Sequence, residues 1–233
     1  KVAQSKLTGD FLGRFQVGLM RRFLDMPFAR GPAGVDVDRH QRFGLMHDDG
    51  AAGAQLHDRV ENLVQLALDL IPENWTISLG PGTYLLEGTL DPEGKAVTFR
   101  GTIDPVTNDP GSILDGQGVH RVLQCISNEG SDTIFDSLVI RNGLGKLTDF
   151  GPLGAFVSGG GVLTMDSSPS FVRCNFIDNQ APGGFGGGIL NFQSSTSFDD
   201  CTFTSNSAGF GGGGIYDGFC STLATGCRFE MNS

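Results

Sequence analysis

Short apolar or alternating runs, broken every few residues by Gly, Pro, Asn, Asp or Ser, fill the second half of the chain. Val162-Leu163-Thr164-Met165, Ser170-Phe171-Val172 and Asn175-Phe176-Ile177 form one set. Runs of this length with such punctuation predict strands and turns. The set then recurs. GGGV at 159–162, GGGI at 186–189 and GGGI at 212–215 are spaced by 27 and then 26 residues. CNFIDN at 174–179, CTFTSN at 201–206 and CRFEMN at 227–232 keep the same beat. Such a period marks stacked supersecondary units, none of which can bury a core alone. With 36 glycines in the chain and few helix formers in the repeat, the units are strands. Three strands and three turns fit into ~26 residues at the rise of a β-strand.

Parallel stacking of these units places equivalent residues directly above one another. Val162, Ile189 and Ile215 are expected as an inward aliphatic column, and Phe176, Phe203 and Phe229 as an inward aromatic one. Cys174, Cys201 and Cys227 form a third column. Asn142, Asn179, Asn206 and Asn232 form a fourth, in which Asn tolerates the left-handed bend and its amide bonds to backbone or to the amide above. Upstream, Ser137 takes the cysteine position and Cys125 the aliphatic one. Ala96-Val97-Thr98-Phe99-Arg100-Gly101 is read as the last strand of a longer first coil that opens near Trp75. About five coils result, each a strand–turn cycle.

The fold class is therefore all-β, a right-handed parallel β-helix (a three-sheet solenoid) with an N-terminal capping helix. Leu56, Val60, Leu63, Val64, Ala67, Leu68 and Ile71 recur at helical spacing, and Pro72 ends the run. This predicts a capping helix over 56–71 within a β-helix domain spanning 55–233, truncated at its C-terminal end. Residues 1–54 are an N-terminal extension of undefined fold. In it, Phe11, Phe15, Leu19 and Phe23 with Arg14, Arg21 and Arg22 hint at a short basic amphipathic helix. Asp36, Asp38, His40, His47, Asp48 and Asp49 are read as a solvated polar loop, since their spacing matches no calcium loop.

Charge narrows the partners. The net charge is −10, with +2 over residues 1–50 and −12 over 51–233. An acidic surface disfavours nucleic acid. No stretch is apolar enough to span a membrane. Of the five cysteines none shows a zinc spacing. The stacked three suit a buried thiol ladder better than a bridge, and Cys220, outside the columns, is the reactive candidate. No cofactor is expected, and although a secreted protein meets calcium, no calcium site is visible.

The last 75 residues, and more loosely everything from Asn74, resemble the pectin-lyase-like superfamily of right-handed parallel β-helices. The GGG[VI] motif followed by FxxN resembles the repeats of polymorphic outer membrane proteins and other bacterial extracellular β-helix proteins, with Gly in place of Ala at the third position. Trp75-Thr76-Ile77-Ser78-Leu79-Gly80-Pro81-Gly82-Thr83-Tyr84 is similar to the opening coil of secreted β-helix proteins, and Ile113-Leu114-Asp115-Gly116 to another of their elements. The resemblance implies an extracellular or cell-surface location. It does not choose an activity, because the fold carries lyases, hydrolases, adhesins and stalks.

Enzymes of this fold draw carboxylates from neighbouring coils. The period sets Asp178 with Arg141, Ser205 and Met231, sets Asp199 with Val172 and Thr225, and puts two carboxylates in no column, so no glycosidase pair is visible. His120 reads as a turn residue. One feature breaks the repeat, an insertion at 143–158. Lys146, Asp149 and Phe150 on it, with Arg141, Asp178, Phe185 and Phe210, form the candidate ligand-binding surface, on which aromatic rings could stack on sugars. The expected function is a non-catalytic secreted or surface β-helix of the adhesin, stalk or passenger type, a monomer with a polysaccharide or cell-surface glycan as partner. The alternative is a polysaccharide lyase or glycoside hydrolase acting on the inserted loop or beyond this segment.

Overall fold

Alternation within the short runs decides which side chains turn inward, and parallel pairing decides what they meet. The computed structural model describes residues 63–233 and, as backbone, the strands Val35–Asp38 and Arg42–Leu45. The expected helix segment 56–62, the amphipathic segment near Phe11 and the side chains around Asp36 and His40 lie outside the described residues. The protein is all-β, and its sheets are built by parallel pairing between repeats, an arrangement compatible with a parallel β-helix.

Each repeat visits three sheets in the same order. Sheet 3 takes Leu123–Cys125, Val162–Met165, Ile189–Phe192 and Ile215–Gly218; sheet 1 takes Ile134–Asp136, Ser170–Val172, Ser197–Asp199 and Leu223–Thr225; sheet 2 takes Leu138–Arg141, Asn175–Ile177, Thr202–Thr204 and Arg228–Glu230. Val162 pairs with Ile189 and Ile189 with Ile215, in the expected register. Phe176, Phe203 and Phe229 stack with centroids 4.5 and 4.8 Å apart and nearly parallel rings. A second inward column was not anticipated. Phe99, Phe135, Phe171 and Phe198 stack along sheet 1 at 5.2, 5.0 and 5.4 Å. Truncating any of these rings except the half-exposed Phe229 to Ala costs ~3–5 kcal/mol.

The asparagine column is a hydrogen-bonded ladder. Asn206 Oδ1 accepts from the backbone N–H of Asn179 (3.1 Å) and from its Nδ2 (2.9 Å). Asn232 Oδ1 does the same for Asn206, at 3.0 Å each. The remaining Nδ2 protons go to backbone carbonyls of the preceding rung, Ile140 for Asn179, Phe176 for Asn206 and Phe203 for Asn232. The ladder asparagines are not themselves the left-handed residues. That role falls on the residue before each: Asn142, Asp178, Ser205 and Met231 have φ of 51–57°.

Three expectations about the upstream rungs are corrected here. Val139 pairs with Asn175, so Leu138 holds the cysteine position and Gly143 the asparagine position. Asn142 is therefore outside the ladder, and its amide instead donates to Asp115. The ladder ends on the backbone of Gly143, whose N–H donates to Asn179 Oδ1 at 2.9 Å. Likewise Leu123 pairs with Val162, which moves Cys125 into the column of Thr164 and Asn191. Finally, Val97–Arg100 does not close the first coil. It pairs in parallel with Trp75–Leu79 and so opens the next rung of sheet 1. Sheet 2 has six strands, beginning at Gly82–Leu85, one rung more than the sequence count.

The glycines of GGG[VI] have separate reasons. The first has positive φ (51°, 68° and 69° at Gly159, Gly186 and Gly212), which a side chain resists. The third packs on the ladder, where a Cβ at Gly161 would stand 2.9 Å from Asn179 Cγ. That crowding accounts for Gly where Ala was the expected residue.

The helix is described over Leu63–Leu70, with Val64, Ala67, Leu68 and Ile71 buried. Lys95 Nζ donates to the carbonyls of Leu68 (2.6 Å) and Asp69 (3.2 Å), a cationic cap on its C-terminal end. Gln65 exchanges hydrogen bonds with the backbone of Asp91, so the helix rests on the Asp91–Lys95 corner of the first rungs. Sheet 1 also continues upstream of the 54/55 boundary. Arg42–Leu45 pairs in parallel with Trp75–Leu79, and Val35–Asp38 folds back on it antiparallel.

Candidate functional site

The insertion at 143–158 is a hairpin, not an open loop. Lys146–Asp149 and Ala155–Ser158 pair antiparallel from Lys146↔Ser158 to Asp149↔Ala155. A 3-10 turn over Gly151–Leu153 connects them, entered through a hydrogen bond from Gly151 N–H to Asp149 Oδ1 (2.9 Å). The second strand then pairs in parallel with Gly184–Phe185. Only glycine fits at 184, since a Cβ there would overlap the carbonyl of Val157.

The hairpin closes over the outer face of sheet 3. Phe150 packs on Leu163 and Leu190, ringed by Ile126, Phe156, Met165, Phe185, Phe192 and Tyr216. Beneath the hairpin lies Arg121, 3% exposed. Its Nε donates to Gly159 O (2.9 Å), Nη1 to Gln124 Oε1 (3.2 Å), and Nη2 to Ser158 O (2.8 Å) and Thr148 Oγ1 (3.0 Å). Burial pulls its guanidinium down to about 10, still charged at neutral pH. Burial, then the charge of Arg121, lowers the neighbouring Lys146 ammonium, which donates to Thr89 Oγ1 at 3.2 Å.

The candidate surface divides. Arg141 lies in sheet 2 beside Ile177, not Asp178, and its Nε is 2.8 Å from Asp115 Oδ2. Asp178 is exposed at a left-handed bend, in the column of Asn142 rather than of Arg141. Asp149 caps its own turn. Phe150, expected at the surface, is 8% exposed and serves as core, because it stands at the turn of the hairpin, where the chain folds over Leu163 and Leu190. Phe185 is half-buried, 4.5 Å from the Tyr216 ring, while Phe210 stays 68% exposed. Arg141 and Asp178 thus belong to the sheet 2 side, and Phe150, Phe185 and Lys146 to the sheet 3 side. Two residues that matter there, Arg121 and Tyr216, were missed. Tyr216 was legible, since it follows Ile215 as Leu163 follows Val162 and Leu190 follows Ile189.

The carboxylate columns also change. Asp136 and Asp199 share a column, with Val172 between them, contrary to the expectation that no column holds two acids. They are two rungs apart, and Asp136 is engaged by Arg100 (3.2 Å) and Arg173 (2.5 Å). Glu129 is buried and accepts from the N–H groups of Gly94 and Ser127 and from Ser167 Oγ. His120 sits half-buried in a turn, its carbonyl accepting from Leu144 N–H. Among the described residues no three His, Cys, Asp or Glu side chains converge as a metal site. No helix among them is long and apolar enough to cross a membrane.

All five cysteines are free. Cys174 and Cys201 are fully buried, and Cys201 Sγ accepts from Cys174 N–H at 3.4 Å. The side-chain hydrogen bond with the Cys174 thiol, then burial, pushes the Cys201 thiol far up, although the Cys174 N–H itself pulls the other way. Burial also raises Cys220 and Cys227. Cys220 is not outside the columns: its Sγ accepts from Ser194 N–H as Ser194 Oγ accepts from Ser167 N–H. In alkylation followed by mass spectrometry, Cys174 and Cys201 should react about two orders of magnitude slower in the folded chain than in denaturant, because reaction must await local opening. A disulfide between them after mild oxidation would refute the ladder.

Comparison with known protein families, with characterised proteins and with solved structures finds no match to this chain.

Proposed function

We propose that this chain is a right-handed parallel β-helix of the pectin-lyase-like kind, secreted or displayed at a cell surface, that binds glycans without transforming them. The in-register motifs and the parallel pairing of every repeat support the fold. The state of the acids carries the functional half of the reading. Asp115 and Asp136 are held by arginines and Glu129 by three donors, and Asp178 is exposed at a bend on the sheet 2 side. General acid–base or nucleophilic cleavage of a glycosidic bond needs two convergent groups.

Incubation with pectate, alginate and uncharged polysaccharides should give no new reducing ends and no unsaturated products, while at least one polymer is retained by the immobilised chain. Depolymerisation abolished by Asp178→Ala or His120→Ala would replace this reading by a lyase or hydrolase.

A further inference from the structure

Of the asparagines in the chain, only Asn142 is followed by glycine. Glycine has no Cβ to shield its amide nitrogen, so Gly143 N can reach Asn142 Cγ more easily than the nitrogen after any other asparagine. Base takes the Gly143 N–H proton, the N–Cγ bond forms, the Cγ–Nδ2 bond breaks, and ammonia leaves. Water then opens the cyclic imide at one carbonyl or the other, giving aspartate or isoaspartate. Water is the only co-reactant, and no electrons are exchanged with another molecule. In the fold each participant is held. Gly143 is buried, its N–H donates to Asn179 Oδ1 (2.9 Å), and its carbonyl accepts from Gln180 N–H (2.8 Å). Asn142 Nδ2 donates to both oxygens of Asp115 (3.1 and 3.0 Å), and Asn142 O accepts from Gly118 N–H (2.7 Å).

The closure is thinnest at the nucleophile. Asn179 and Asn206 each give two donors, backbone N–H and Nδ2, to the amide oxygen of the next rung. Gly143 gives one, and the ladder ends there. The product, moreover, does not fit the place of the asparagine. Aspartate at 142 sets a second carboxylate against Asp115 and removes the two Nδ2 contacts. Isoaspartate adds one carbon to the backbone immediately before Gly143, where even a Cβ would overlap the carbonyl of Gly160. The hairpin is rooted at this point, through Leu144 N–H to His120 O (3.0 Å) and Gly145 N–H to Gln180 O (2.7 Å). We infer that Asn142–Gly143 is a deamidation site gated by the last link of the asparagine ladder, and that its conversion unseats the root of the hairpin. The reaction thereby turns a transient opening of this corner into a permanent one.

The test is incubation of the full chain in mildly alkaline buffer, with peptide mapping by mass spectrometry to follow conversion at each asparagine. In denaturant Asn142 should convert first. In the folded chain it should convert about two orders of magnitude more slowly, because reaction must await local opening. Asn179→Ala frees the Gly143 N–H and should restore about tenfold of that rate. Asn206→Ala weakens the ladder one link away, leaves this N–H bonded, and should not. Hydrogen exchange at the Gly143 amide supplies a second measurement on the unaltered protein: in urea below the unfolding transition, exchange and deamidation should accelerate together. The converted fraction, separated by ion exchange, should be cut by protease within Gly151–Gly154, where the unconverted fraction resists. Equal rates in folded and denatured protein would overturn the gate. So would equal acceleration by Asn206→Ala and Asn179→Ala, or deamidation that does not follow exchange at Gly143. A converted fraction as resistant to protease as the original would overturn the effect on the hairpin.

Discussion

Replacing Asn206 by Ala should destabilise the protein by about 3–5 kcal/mol, a large share of the 5–15 kcal/mol typical of a domain. Asn206 is fully buried, and its amide serves two rungs at once. Without it, Asn179 loses the acceptor for its backbone N–H and one Nδ2 proton, and Phe176 C=O loses a donor. Each buried group left alone costs ~1–3 kcal/mol. Asn142→Ala is the control. It leaves the ladder intact, so its cost should stay at ~2 kcal/mol, the bond to Asp115 together with the strain of Ala at a left-handed φ of 51°. Asn206→Asp adds a pH signature. A carboxylate can accept from Asn179 but would face the Phe176 carbonyl without a proton to give it. Its pKa in the folded state should therefore rise above the unfolded value of ~3.9. Folded protein then binds more protons than unfolded, so the variant should gain stability as pH falls through the raised pKa. Urea unfolding across pH 4–8, ~4 being the unfolded carboxyl value, reads both effects. A flat profile with a loss under 1 kcal/mol, the worth of about one hydrogen bond, would show that the ladder is not cooperative.

The repeats downstream of Gly159 were legible because their corners are short and of nearly constant length, so one beat carries all three sheets. Upstream the beat fails for local reasons. From Cys125 to Ile134 the chain crosses a longer corner than from Thr164 to Ser170, with Glu129 folded into it, and this shifts the sheet 3 register by two residues. Phe99, Phe135 and Phe171 recur at a longer step than Phe171 and Phe198, which hid their column. Asn142 misled because it satisfies one demand of the bend, the left-handed backbone, one position before the ladder. Gly143 then fills the ladder position with its own N–H, a role invisible in side-chain patterns. The site was less legible than the fold. The length of 143–158 announced an insertion, but only pairing to Gly184–Phe185 decides that Phe150 faces inward. Arg121 gave no periodic signal at all, since its partners are carbonyls and hydroxyls of the insertion, the Gly159 carbonyl and Gln124, a set that does not recur with the repeat.

Arg121→Met should release the hairpin while the sheets beneath it stay folded. The guanidinium joins strands from both sides of the insertion, through Lys146 O (3.4 Å) and Thr148 Oγ1 (3.0 Å) on one strand and Ser158 O (2.8 Å) on the other. No carboxylate among the described residues forms an ion pair with it, so the buried charge is balanced by carbonyl and hydroxyl dipoles alone. Methionine matches its stem in length but leaves those carbonyls buried without donors, at ~1–3 kcal/mol each. Peeling off the hairpin rehydrates them and exposes only Phe150 and the outer faces of Leu163 and Leu190. Local opening is thus cheaper than global unfolding. Lysine should not rescue, because one ammonium cannot span both strands as the planar fork does. Limited proteolysis should cut the variant within Gly151–Gly154, and hydrogen exchange should accelerate at Lys146–Ser158 but not at Thr202–Thr204. Unfolding of sheet 2 in step with the hairpin would mean that Arg121 holds the whole domain together, not this element alone.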